Sequence, residues 1–406
     1  MTAPLRLAAV LLLATGLVAG CSSSDKTEAP APSLYAIWDP YPQFDGSSDW
    51  VKLLQKCGTD AGVTVKRTGF DTTDLTNKAL LAAQQGNSPD VLIVDNPVVS
   101  TLAEAGVLNP APDTAGIEPN LLAAGQQDGK TYGVPIGANT LALYYNKDLL
   151  TKAGVDPAAV KDWASLTAAL QKMKAAGKKG ITFSAIGTEE GSFQFLPWFW
   201  GSGADLTELD SAQGVQALTL WTDWLKQGYA PNSVLNNTQT TSWQEFAAGN
   251  VAFAENGTWQ LANAKKTGFP YGIIPIPAQA GGTAPAPTGG EFVTSPVQDD
   301  TKRYEISQKI IGCLTSADNA YTTDTTLSYI GATDAVQAKQ VAATPELKVW
   351  VDAVRAAKGR TSDNLGTKYP KISEPMWTAF QAALSGSKSP QAALQGAQQT
   401  AATATK

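Results

Sequence analysis

Residues 128–154 read DGKTYGVPIGANTLALYYNKDLLTKAG, and how this stretch is read decides the fold. Asp128-Gly129 is a turn signal, and the residues after it are extended. Leu141, Leu143 and Tyr145 alternate with Thr140, Ala142 and Tyr144, the period of a strand with two distinct faces. The segment Asp148–Gly154 is helical in character. From spacing alone this is a buried strand followed at once by a short helix.

Upstream, Leu34–Trp38 and Val63–Arg67 predict strands on either side of a helix over about 49–59. A second helix over about 75–85 stops at Gly86, a residue suited to the left-handed position after a helix. Val91–Val94 is an unbroken apolar run, as in a strand covered on both faces. A short helix then ends near Gly106. This β-α-β-α order implies an α/β fold with a mostly parallel sheet between helices.

Downstream the pattern is more helical. Asp162 is placed to cap a helix with the stripe Trp163, Leu166, Leu170 and Met173, and Val215, Leu218, Trp221 and Leu225 mark another. Ser242-Trp-Gln-Glu245 has the spacing of a capping box. Val251–Ala254 predicts a short strand, with a turn at Asn256-Gly257. Tyr271–Pro277 is extended and leads into a Gly/Pro-rich loop. Helices follow over about 301–315 and 372–384, and Ser389-Pro390 opens the last one as N-cap and first residue.

With 406 residues the chain can hold two or three domains. Charged residues make up 16%, the net charge is −6, and no basic stripe runs along the chain, so nucleic acid is not an expected partner. The absence of histidine removes His-based triads and zincin-type metal sites. The first 20 residues read as an export signal, with Arg6 before an apolar run from Leu7 to Ala19 that is too short to span a bilayer. Val18-Ala19-Gly20-Cys21 is similar to the lipobox of bacterial lipoproteins, which makes Cys21 the lipidated first mature residue. Residues 21–33 then form a flexible tether, whose Ser22–Pro32 part has a reach of about 35–40 Å. Cys57 and Cys313 lie on separate apolar stripes. A disulfide and two buried thiols are both compatible with that placement.

Several separated stretches resemble the extracellular solute-binding proteins of ABC importers, the maltodextrin-binding type. They are Ser88-Pro-Asp-Val91 with Ala105-Gly-Val-Leu108, Tyr132-Gly-Val-Pro135, Tyr145-Asn-Lys-Asp148, Phe246-Ala-Ala-Gly-Asn250 with Asn256-Gly-Thr-Trp259, Gly289-Gly290, and Tyr369-Pro370. Their order and spacing span nearly the whole mature chain. The resemblance implies a two-lobe fold of the type II periplasmic-binding-protein class with a hinged cleft between the lobes. Lobe one would take 34–139 and 277–332, and lobe two 140–276 and 333–400. Residues 128–154 and 271–277 become the crossings between lobes. A carbohydrate held in the cleft, a membrane permease as partner, a monomeric lipid-anchored protein, and no cofactor or metal are the corresponding expectations.

The resemblance places stacking aromatics at Trp259 and Trp377, and an amide, Asn139, where the maltodextrin-binding type has a carboxylate. Trp38, Asp39 and Tyr41 after the first strand, and Asp95 and Asn96 after the third, lie at the carboxyl ends where parallel sheets bind ligands. Turn formation by the Asx side chains is the competing reading. Glu291 is a candidate acceptor, with Gly290 allowing close backbone approach. Of Phe193, Phe195, Trp198, Phe199 and Trp200, one or two are expected at ligand, Trp198 among them, and the rest in the core. None of these candidates is basic, which favours a neutral ligand over a phosphate; a glycerophosphodiester, polyamine or iron-complex binder is the alternative. Two enzyme readings are weaker. The motifs Ser385-Gly-Ser-Lys388, Ser362-Asp-Asn364 and Lys266-Thr-Gly268 occur in reverse of the β-lactamase order, and the adjacent Glu189 and Glu190 do not naturally flank one glycosidic bond.

Overall fold

The computed structural model describes residues 33–111 and 114–406. Cys21 and the tether through Pro32 lie outside the described residues. Two sheets organise the chain. Its strands are β1 (Leu34–Asp39), β2 (Thr64–Gly69), β3 (Val91–Asp95), β4 (Leu108–Asn109), β5 (Gln126–Gln127), β6 (Lys130–Thr131), β7 (Gly133–Pro135), β8 (Leu141–Asn146), β9 (Lys179–Thr182), β10 (Val251–Gly257), β11 (Tyr271–Ile274) and β12 (Glu291–Pro296).

The first sheet has the order β2-β1-β3-β12-β4, with β7 also on β12. β1 is parallel to β2 and β3, as the β-α-β order requires, whereas β12 runs antiparallel to β3, β4 and β7. The expected parallel sheet therefore receives one reversed strand, which enters from the far end of the chain. The second sheet has the order β11-β8-β10-β9. Here β8, the strand of the opening stretch, lies between two antiparallel neighbours. Its alternation sorts the side chains as the period predicts. Leu141 and Leu143 enter a core with Trp163, Leu166 and Trp221, while Ala142 and Tyr144 enter a separate cluster with Trp243, Phe246 and Trp350. Each fully buried leucine contributes about 1.5–3 kcal/mol, so a one-residue slip of β8 would exchange both faces at large cost.

Three crossings join the lobes at one place. The chain leaves β7, pairs Ala138 with Ile330 and Asn139 with Gly289 in antiparallel bridges, and only then becomes β8. β11 runs beside β8 in register, Tyr271 opposite Asn146 and Ile274 opposite Leu143. On the return toward β12, Ile276, Ala284 and Ala286 pack in the same core as Leu141, Trp163 and Trp221.

Local signals held where no longer-range pairing competed. Asp162 caps the helix Trp163–Ala175 and forms a reciprocal box with Ser165, and Ser389 caps Pro390–Ala404. The box expected at Ser242 does not form. Thr238 caps a helix that begins one turn earlier, Gln239–Ala247; Ser242 bonds the Gln239 carbonyl from inside it, and Glu245 accepts from Thr182 and Ser233. Asn256-Gly257 is likewise not a turn, because pairing with Ala142 and Leu141 carries β10 straight through it.

Cys57 and Cys313 are joined in a disulfide that links the helix Asp49–Asp60 to the helix Lys302–Leu314. It closes a separation of 256 residues, for which chain entropy sets an upper bound of about 5.5 kcal/mol. Calorimetry of the Cys57→Ala/Cys313→Ala variant should therefore show a markedly lower melting temperature. Ligand affinity should be retained, because the bond lies on the first lobe away from the crossings.

Candidate functional site

Where the crossings meet, a cleft of about 860 Å³ opens between the lobes. Its walls are built from element ends. β3 stops at Asp95, whose carboxylate accepts from the Asn96 backbone N–H and caps the helix Asn96–Glu104. β12 starts at Glu291, directly opposite Asp95 in the ladder. The helix Glu189–Gly201 begins with Glu189 and Glu190, acids that its N-terminal dipole favours. Asn139, Phe193 and Trp259 complete the wall, with the two rings 6.3 Å apart between centroids.

Two glycines are required at the cleft floor. A Cβ on Gly289 would fall 2.0 Å from Asn139 Oδ1, and Gly290 has φ +104 with its missing Cβ 2.8 Å from the Gly137 carbonyl. Asn139 and Gly289 exchange two backbone hydrogen bonds, 3.1 and 2.8 Å long, and the missing Cβ leaves room beside them for the Asn139 side chain.

The charges of the site are partly compensated. Arg360, with a side chain 3% exposed, donates to Glu189 Oε1 at 2.8 Å and to the Asp95 carboxylate at 3.2 and 3.3 Å. Glu189 also accepts from the Tyr369 and Ser373 hydroxyls. Glu291 accepts from the hydroxyls of Tyr41 and Tyr329. Burial, and then the charge of Asp95, push its carboxyl from 4.5 up to about 7, against the lowering effect of those hydroxyls. Glu190 accepts from the Gln239 backbone N–H. Among the described residues no group of three or more acidic or cysteine side chains is arranged to hold a metal ion.

The profile of the bacterial extracellular solute-binding protein family matches residues 52–349, well over half of the chain. The chain belongs to that family. Among curated relatives, the maltodextrin-binding protein MdxE of Bacillus subtilis is 28% identical over 330 residues, covering 77% of this chain and 76% of its own. A maltooligosaccharide ABC transporter solute-binding lipoprotein of Streptococcus pneumoniae is 25% identical over 331 residues, with 77% and 75% covered. Among solved structures, the GacH receptor of Streptomyces glaucescens, studied unliganded and with acarbose, is 26% identical with a TM-score of 0.76, covering 90% of this chain and 96% of its own. UgpB of Mycobacterium tuberculosis, solved with glycerophosphocholine, has a TM-score of 0.78 at 21% identity and shares the fold. The two-lobe architecture is that of this family of binding proteins.

Of the residues the sequence proposed, Asp95, Asn139, Trp259, Gly290 and Glu291 line the solute-binding family's interlobe cleft here. The other six stand back from it. Asp39 is fully buried, ion-paired to Arg67 at 2.5 Å, and accepts from Trp50 Nε1 and the Tyr41 backbone N–H. Trp38 packs edge-on against Phe70 at 5.1 Å. Tyr41 supports Glu291 from behind, and Asn96 is buried with its amide donating to the Thr288 and Gly290 carbonyls. Trp198 is a core residue whose Nε1 donates to Glu255 at 2.8 Å, so only Phe193 of the aromatic cluster reaches the cleft. Trp377 lies within the helix Tyr369–Leu384, half-buried against the second core, and does not line the cleft. Arg360 was missed. It sits in an irregular polar stretch, Lys358-Gly-Arg-Thr-Ser-Asp363, that carries no local signal, and it adds a basic residue to a cleft whose named candidates include none.

Two measurements separate the cleft from its supports. Asp39→Ala, which strands a nearly buried guanidinium, should cost about 3–5 kcal/mol in denaturant unfolding while the folded protein keeps its affinity. For Glu291 the folded pKa lies above the unfolded value, so the folded state binds the extra proton, and stability from this group is lost as pH rises from about 4.5 through about 7. Glu291→Gln should flatten that fall, gaining stability over wild type at pH 8 and none at pH 4, as read from melting temperatures across the range.

Proposed function

We propose that the protein captures a carbohydrate, a neutral mono- or oligosaccharide, in the interlobe cleft and presents it to an ABC import permease. One observation carries the reading: flat rings at Trp259 and Phe193 share a single cleft with fixed acceptors from both lobes, Asp95 and Glu291 on one side and Glu189 and Glu190 on the other. Aromatic faces cover the C–H surfaces of a sugar while carboxylates accept its hydroxyl protons. The volume of about 860 Å³ accommodates more than one sugar ring. Arg360 leaves the neutral-ligand argument in place, since two carboxylates already engage it and the remaining acids disfavour an anion.

The relatives named for maltodextrin and maltooligosaccharide support an oligosaccharide, and the excess of carboxylates favours a cationic solute as the second reading. The lobes divide at 139/140, near Gly289 and near Ile330, the three points that meet in the antiparallel bridges. A ligand that touches both lobes shifts the population toward closure, and the permease reads the closed shape. Lipidation at Cys21 and the tether through Pro32 hold a monomer near the outer face of the membrane.

The test is a thermal-shift screen of mono- and oligosaccharides, because a ligand bound only to the native state raises its melting temperature. An upward shift with at least one sugar is expected. A response to choline esters or polyamines and to no sugar would replace the carbohydrate reading by the cationic one. With the responding sugar, Asn139→Ala and Trp259→Ala should each weaken binding by about tenfold or more in calorimetric titration. Wild-type affinity in either variant removes that residue from the site.

A further inference from the structure

We propose that Arg360 is a positioning residue, a charge clamp that ties one carboxylate from each lobe, Asp95 and Glu189, across the floor of the cleft and so sets the resting angle between the lobes. The inference rests on reading the cleft as the ligand site, but the clamp itself is a contact among side chains of the chain.

The two partners come from different bodies. Asp95 ends a strand of the first sheet, and Glu189 begins a helix whose Phe195, Leu196 and Phe199 lie in the second core. Arg360 is held from the hinge: Thr288 N–H donates to the Lys358 carbonyl and Lys358 N–H to the Ala286 carbonyl, both at 2.9 Å. Its guanidinium lies 4.9 Å from the Phe193 ring centroid and 6.0 Å from that of Tyr369, which fix the plane of the fork. Burial opposes the charge of Arg360, and the carboxylates of Asp95 and Glu189 outweigh it, so the guanidinium stays protonated. Asp95 and Glu189 remain 26% and 38% exposed, and both line the cleft although each carboxylate oxygen already has a donor.

The neighbouring charges do not substitute for the clamp. Glu190 and Glu291 add negative charge to the cleft, and Tyr369, Tyr41 and Tyr329 are hydroxyl donors to carboxylates. Lys358 is engaged by Asp363 at 2.7 Å. If the lobes rotate apart, Asp95 leaves a buried guanidinium short of a partner. That penalty restrains opening and keeps both carboxylates aimed at the ligand.

Pulsed electron resonance between spin labels on Lys78→Cys in the first lobe and Lys226→Cys in the second reads the interlobe distance without any ligand. Asp95→Asn and Arg360→Met should each lengthen and broaden the distance distribution relative to the labelled parent, and the two together should do no more than either alone. Maltotriose affinity should fall about tenfold in each single variant and no further in the double, the non-additivity of two partners in one interaction. A role confined to packing on Phe193 and Tyr369 would leave Asp95→Asn with the parent's distribution. Asp95 is partly exposed, so this variant decides the matter even if Arg360→Met does not fold. Parental distributions in both single variants overturn the clamp. A parent that binds no maltotriose counts against the carbohydrate reading, while the distances still decide the clamp.

Discussion

The structure depends on a few backbone hydrogen bonds at residues 138 and 139. Ala138 pairs with Ile330 and Asn139 with Gly289, so three separate crossings are fastened at adjacent residues. Each side has its own sheet and apolar core, and a further cluster that brings Leu121, Ala138 and Ile330 beside Trp243, Phe246 and Trp350 spans the two. At this fastening Gly290, with φ +104, carries no Cβ where the Gly137 carbonyl approaches, and Gly289 leaves room for the Asn139 side chain. A hinge made this way is narrow, and the polar side chains that project beside it, Asn139, Glu291 and Asp95, form the floor of the cleft.

The electrostatics of the cleft follow from that geometry. Carboxylates at a strand end, a strand start and a helix start converge because those elements all terminate at the crossing. Left alone they would repel and be costly to desolvate. Arg360 offsets two of them, tyrosine hydroxyls hold a third, and the backbone at Gln239 engages a fourth. The outcome is a set of oriented acceptors facing a void bordered by Trp259 and Phe193.

Asp39 and Asp95 show why half of the site was legible. Both follow strands of the same parallel set, and position along the chain does not tell them apart. Arg67, two residues short of the end of the neighbouring strand, and Trp50, from the next helix, fold over Asp39 and bury it. Asp95 instead faces β12, a strand nearly 200 residues later, whose first residue is Glu291 in direct register. The tryptophans divide in the same way. Trp259 follows β10 and looks into the cleft, whereas Trp198 is one turn too deep in its helix and finds Glu255 in the core.

Periodicity, caps and the family resemblance were enough to determine the two-lobe α/β plan and the crossing strand with its two buried faces, and they named five of the residues that line the cleft. These are written in local spacing, because a strand's alternation and a helix's first turn are set by their own neighbours. Only the tertiary structure decided which strand-end acid reaches the cleft, that Ile276, Ala284 and Ala286 pack beside Trp163 and Trp221, that Cys57 meets Cys313, and that Arg360 stands between two carboxylates. Each of those depends on contacts between residues far apart in sequence, where burial and charge pairing outweigh any preference the local residues carry.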